Sequence, residues 1–188
     1  MVKALIVIDM FTKDIRGRYD EKKLISNQIK LIKKFKEKKL PVIFTGPKFG
    51  SKPNPVYEKL WGDEYGDSKK SKKESSKIRH ENLAIIPELL EIGYDKLIEK
   101  ENYSAFFNTS LERYCKKHKI TELYLAGISG GCCVHYTGID AMYRRIQPVL
   151  ITDATSSPSA KRHKHNIKEF NIFIGPSMTT NKVIKSLN

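Results

Sequence analysis

The chain has few of the residues that would restrain it covalently or carry it across a membrane. Three cysteines, two of them adjacent, make no disulfide framework and include no CxxC pair. The expected compartment is therefore a reducing cytoplasm. No apolar stretch approaches the roughly 18 residues that a membrane span requires, so no membrane partner is expected. The opening run Ala4-Leu5-Ile6-Val7-Ile8 stops at Asp9, which reads as a short buried strand rather than a signal peptide. Histidine is scarce, at five in 188 residues. The pair His163 and His165 lies two residues apart on a helical stretch, hence on different faces. It reads as exposed side chains rather than a metal site. Cys-Cys-Val-His at 132–135 lacks the spaced ligand pairs of a zinc site.

What is abundant is positive charge. Thirty-five Lys and Arg against 21 Asp and Glu give +14. The densest run, Lys69-Lys70-Ser71-Lys72-Lys73-Glu74, has no nucleic-acid motif beside it. It reads as a solvated loop, and no specific nucleic-acid partner is expected. At 188 residues the chain suits one domain with its own core. Short apolar runs recur at Ala4–Asp9, Pro41–Gly46, Lys96–Lys100, Glu122–Ser129, Pro148–Ala154 and Phe170–Gly175. Helical patterns alternate with them: Glu21–Lys39, from near Ser104 to His118, after Gly131, and Ser159–Phe170. The expected fold is α/β in three αβα layers, around a six-stranded, mostly parallel, Rossmann-like sheet. The interval from about 48 to 80 carries Pro53, Pro55, Trp61 and the lysine run, and reads as an irregular lid or interface segment.

Right-handed crossovers bring all strand C-termini to one edge, where open α/β sheets bind ligands. Asp9 ends the first run, Lys100 ends the third, and Cys132 and Cys133 follow a Gly-Ile-Ser-Gly-Gly turn into a helix. Each has a bland reading, as a cap, a surface charge or a small core residue. Together they suit nucleophilic chemistry. A helix start and an ammonium lower a thiol's pKa, a carboxylate moves its proton, and turn N–H groups hold an oxyanion.

The segments Ala-Leu-Ile-Val-Ile-Asp9-Met, Glu-Lys100-Glu-Asn-Tyr-Ser-Ala-Phe-Phe and Gly127-Ile-Ser-Gly-Gly-Cys-Cys133-Val-His-Tyr-Thr137 resemble the isochorismatase-like cysteine hydrolase superfamily. Nicotinamidases and N-carbamoylsarcosine amidases are among its members. The resemblance implies Asp9 as general base, Lys100 as supporting cation and Cys133, directly before Val134, as nucleophile. It implies a cis Ile128–Ser129 peptide and oxyanion donors at the backbone of Ser129 and Cys133. Phe11, Trp61, Tyr103 and Phe106 are pocket candidates. The histidine-bearing metal site of nicotinamidases has no counterpart between Thr45 and Arg79, so neither metal nor organic cofactor is expected. The implied activity is cleavage of a C–N bond in a small amide or carbamoyl substrate, by a homo-oligomer (dimer or tetramer). The alternative is a catalytically silent member of the fold that binds an anionic ligand or partner.

Overall fold

A computed structural model describes residues 1–48, 56, 81 and 83–188. Six parallel strands form one sheet in the order β3-β2-β1-β4-β5-β6. They are β1 (Val2–Ile8), β2 (Val42–Pro47), β3 (Lys96–Lys100), β4 (Ile120–Gly127), β5 (Gln147–Thr155) and β6 (Ser177–Met178). The described helices are α1 (Thr12–Ile15), α2 (Glu21–Glu37), α3 (Pro87–Leu90), α4 (Leu111–Lys117), α5 (Cys133–Tyr143), α6 (Ala160–Phe173) and α7 (Thr180–Ser186). None of them is long and apolar enough to cross a membrane.

Alternation along each strand sends side chains to two separate cores. From β1, Leu5 and Val7 face α2, α3 and α7, where Leu24, Leu31, Phe35, Leu89 and Val183 close over them. Ala4, Ile6 and Ile8 face the opposite layer, against Leu111 of α4, Val134 and Ala141 of α5, and Phe170 of α6. Both faces of the central strands are thus dry, which is why their sequences are apolar without interruption.

Two expectations need correction. The run Phe170–Gly175 is not a strand. Helix α6 continues through Phe173, and Phe170 and Ile174, four residues apart, both turn into the core. An aromatic and β-branched run satisfies either period; here it extends a helix already nucleated and capped by the Ser159 hydroxyl. The last strand is displaced to Ser177–Met178. Nor does the third helix start near Ser104: α4 begins at Leu111. Ser104 and Thr109 accept from the backbone of Phe106 and Leu111, while Asn108 adopts a left-handed φ of 53°. Such local bonds compete with helix formation.

The core also sets an alkaline limit. Burial pushes the Cys115 thiol up from 9.0 to about 12, and burial with the Glu122 hydrogen bond pushes Tyr124 up from 10.0 to about 12. Between these values the folded chain keeps protons that the unfolded chain has released, so stability falls as pH rises. Below the unfolded pKa the contribution is complete. The urea midpoint is expected to hold near pH 8 and to drop steadily above about pH 9, at about 1.4 kcal/mol per pH unit for each proton held. A midpoint unchanged up to about pH 10.5 would contradict this.

Candidate active site

The strand order explains why residues distant in sequence meet. The chain starts in the middle of the sheet at β1, builds β2 and β3 on one side, then crosses to β4 and β5 on the other. The crevice at this reversal, beyond the C-terminal ends of β1 and β4, is the ligand-binding position of open α/β sheets. Asp9 follows β1 directly, and the turn leading to Cys133 follows β4.

Asp9 is held on every side that the described residues reveal. Its φ of 50° turns the chain out of the strand. One carboxylate oxygen, Oδ2, lies 2.7 Å from Lys100 Nζ, with both side chains almost wholly buried. The other, Oδ1, accepts from the Thr45 hydroxyl at 2.7 Å, and Thr45 Oγ1 in turn accepts from the Asp9 N–H at 2.9 Å. Thr45 sits on β2, the strand between Asp9 and Lys100, so the lysine reaches the carboxylate across it. A hydroxyl that receives an N–H at its lone pair is left to donate to the carboxylate, and this fixes the carboxylate plane. Lys100 Nζ also donates to the Asn102 carbonyl at 3.0 Å. An ion pair this dry must be well hydrogen-bonded to offset its desolvation.

Cys133 opens α5, and the peptide between Ile128 and Ser129 is cis. The turn between is anchored at both ends. Gly130 N–H donates to the Ser156 carbonyl at 2.8 Å, and Cys132 N–H and Val134 N–H both reach the Ser129 carbonyl. Asn166 of α6 lies over Gly131; a Cβ there would come within 2.6 Å of its side-chain amide and would displace it. Asn166 itself donates to Ser157 at 2.9 Å.

The electrostatics differ from a pre-formed Cys133 thiolate. The two adjacent thiols perturb one another. The neighbouring Cys132 thiol, burial and the Asp9 carboxylate push Cys133 well above its ordinary value, against the pull of Lys100. Cys132 moves down, stabilised first by its neighbour Cys133 and further by Lys100. Cys133 is thus held towards its thiol form. The sequence reading placed both the ammonium and the carboxylate beside the cysteine, but not the influence of the second sulfur.

Of the pocket candidates, Tyr103 stacks on Tyr136 of α5, ring centroids 5.6 Å apart at 17°. This loop is tied to the same helix by the Ala105 N–H donating to Thr137. Phe106 packs in the core instead, with the Arg144 guanidinium 4.9 Å above its ring. Phe11 is buried as well and pairs with Ile85 in an isolated antiparallel bridge. Trp61 and the segment from about 48 to 80 expected as a lid or interface, apart from Lys48 and Val56, lie outside the described residues. His163 is buried, with Nε2 2.8 Å from the Thr152 carbonyl, contrary to its expected exposure; His165 is exposed. Among the described residues no His, Cys, Asp and Glu group has the makings of a metal site.

Sequence reasoning missed Thr45, Tyr136 and Asn166. The signal for Thr45 was available: it is the one hydroxyl in the apolar run Val42-Ile43-Phe44-Thr45, level with the strand end that carries Asp9. Asn166 gave none, because its role exists only through the packing of α6 on the turn.

Comparison with known proteins places this geometry in context. The family model described as the isochorismatase domain matches residues 3–182. YaaI of Bacillus subtilis, an uncharacterised isochorismatase family protein, is 23% identical over 187 residues, covering 97% of this chain and 96% of its own. A cysteine hydrolase from Pseudomonas syringae pv. phaseolicola superposes with a TM-score of 0.83 at 19% identity, over 98% of this chain and 92% of that one. The N-carbamoylsarcosine amidase of Thermoplasma acidophilum superposes with a TM-score of 0.74 at 24% identity, over 96% and 97% of the two chains. At these identities the structural likeness speaks for the fold.

Proposed function

Because the chain belongs to the isochorismatase-domain family, we propose that it is a cysteine hydrolase that cleaves a C–N bond of a small amide or carbamoyl compound. The observation that carries this reading is the buried Asp9–Lys100 pair, whose two charges both act on the Cys133 thiol at a helix start.

The resting thiol suits general-base activation. As the substrate carbonyl approaches, the Cys133 proton passes to Asp9 and the sulfur attacks the carbonyl carbon. Proton transfer moves the negative charge from carboxylate to sulfur without changing the net charge beside Lys100, so the ammonium holds both states at similar cost. The oxyanion of the tetrahedral intermediate would be received by the N–H groups of Ser129 and Cys133, aided by the positive end of α5. Asp9 then returns the proton to the leaving nitrogen, and ammonia or amine departs from the acyl-enzyme. A water that Asp9 deprotonates hydrolyses the thioester and restores the thiol. The residues need no metal or organic cofactor for these steps.

The stacked Tyr103–Tyr136 pair would form an aromatic wall beside the nucleophile, suited to a small planar substrate. We read the chain as a homo-oligomer, since Phe107, Tyr136 and Tyr143 leave 52%, 48% and 73% of their surface exposed. Such aromatic exposure is typical of surfaces that pair.

An ammonia-release screen over primary amides, ureas and carbamoyl acids tests the reading. At least one class should turn over at a rate within the usual enzyme range of about 1–10³ per second. Folded protein that releases ammonia from none of them would leave the anion-binding alternative standing instead.

A further inference from the structure

We propose that Cys132 and Cys133 form a peroxide-responsive modification site, in which hydrogen peroxide oxidises Cys132 and Cys133 closes a vicinal disulfide. The oxidation does not depend on the hydrolase reading; the loss of turnover that would follow does.

The geometry separates the two sulfurs by role. Cys132 caps α5 with a non-helical φ of −136° and ψ of −102°, its carbonyl accepting the first helical bond from the Tyr136 N–H at 2.9 Å. It is partly exposed and follows Gly131, which is open to solvent. Cys133 is the first helical residue, also partly exposed but packed against the α4–α5–α6 core and under the influence of the Asp9 carboxylate. The two thiols are neighbours in the chain and both partly exposed, while Cys115 lies in the core with 1% of its surface exposed. The downward shift at Cys132 raises the fraction present as thiolate, the form that peroxide attacks.

The chemistry closes in two steps. The Cys132 thiolate attacks one peroxide oxygen, the O–O bond breaks, and hydroxide leaves a sulfenic acid on Cys132. The Cys133 sulfur then attacks the Cys132 sulfur. The S–O bond breaks, the S–S bond forms, and the departing hydroxide combines with the Cys133 proton, for which Asp9 is the adjacent carrier. Overall two thiols and one peroxide give one disulfide and two waters. Adjacent Cα atoms are about 3.8 Å apart, less than the roughly 4.4–6.8 Å of relaxed disulfides. The resulting ring would be strained and readily reduced by a dithiol, the property of a reversible switch rather than a structural link.

The test treats the whole protein with a small excess of hydrogen peroxide and reads intact mass and peptide maps. The expected product is lighter by two hydrogens in the peptide carrying residues 132 and 133, reverts with dithiothreitol, and leaves Cys115 free to alkylate after unfolding. In Cys132→Ser the lighter species should be absent and oxidation of Cys133 at least about tenfold slower. In Cys133→Ser the sulfenic acid on Cys132 should persist and capture dimedone. Oxygen adducts on wild-type protein with no lighter species, or a disulfide that maps between chains or to Cys115, would overturn the proposal. So would a dimedone adduct confined to Cys115. Where ammonia release is measurable, oxidation should abolish it and dithiothreitol restore it. A vicinal disulfide that left turnover intact would count against Cys133 as nucleophile while leaving the modification in place.

Discussion

Cys133→Ala is expected to lower turnover by at least about 10⁴-fold, while Cys132→Ala stays within about tenfold of the parent. The contrast is sharp because thiol acidity points the other way. Cys132 is the more acidic of the two, and a nucleophile chosen by thiolate content alone would be Cys132. The need for a protonated thiol decides otherwise. The Asp9 carboxylate helps to push the Cys133 thiol up, against Lys100. Cys133 is thus held towards its thiol form, and general-base attack starts from a protonated thiol. Cys132→Ala leaves Cys133, Asp9 and Lys100 in place, so its effect should be modest. Ammonia release by the two purified variants, with circular dichroism to confirm folding, decides the matter. Equal loss in both, or greater loss at Cys132, would sink the nucleophile assignment and with it the proton route through Asp9.

How far the sequence discloses such a site depends on the kind of interaction that builds it. The strands carrying Asp9, Lys100 and the turn before Cys133 are legible because central strands are dry on both faces and their apolar runs end abruptly at polar residues. The convergence of the three follows from topology, since parallel strands with right-handed crossovers share one C-terminal edge. Periodicity also places α2, whose buried residues Leu24, Leu31, Ile32 and Phe35 lie on one stripe. It fails for Phe170–Gly175, where a helix already under way decided between two periods that the residues alone allow. Charge interactions were the least legible part. Lys100 was expected to act on the sulfur, yet its shortest bond is to Asp9. The proton balance between the two cysteines depends on distances that no spacing in the chain reveals. Thr45 and Asn166 belong to the same class, being polar side chains whose partners are supplied by other strands or helices.

Gly127→Ala carries the largest expected effect on stability. Gly127 is the last residue of β4 and pairs with Ile8, the last residue of β1, one position before Asp9. Its φ is 111°, a conformation open to glycine and strained for any residue with a Cβ. The space is closed as well. A Cβ there would fall 2.1 Å from the Ile8 carbonyl oxygen and 2.5 Å from the Ile8 nitrogen, both backbone atoms that no rotamer change can move. The Ile8 carbonyl is also the acceptor for the Ile128 N–H at 2.9 Å, so displacing it breaks the link that carries β4 into the nucleophile turn. Backbone strain of about 1–3 kcal/mol and overpacking of about 1–3 kcal/mol should add, because the same methyl causes both. The expected loss is about 2–6 kcal/mol, or roughly 10 °C in Tm for a domain of this size. Whatever folded protein remains should lose turnover by more than its folded fraction, since Ile8 is joined directly to Asp9. Gly93→Ala provides the control: it too replaces a glycine at positive φ, 77°, but its one near neighbour is the flexible end of Lys36. It should cost about 1–2 kcal/mol and leave activity per folded molecule unchanged. If Gly127→Ala proved no more harmful than Gly93→Ala in urea unfolding, the close approach of β4 to β1 would not be what fixes the position of Asp9.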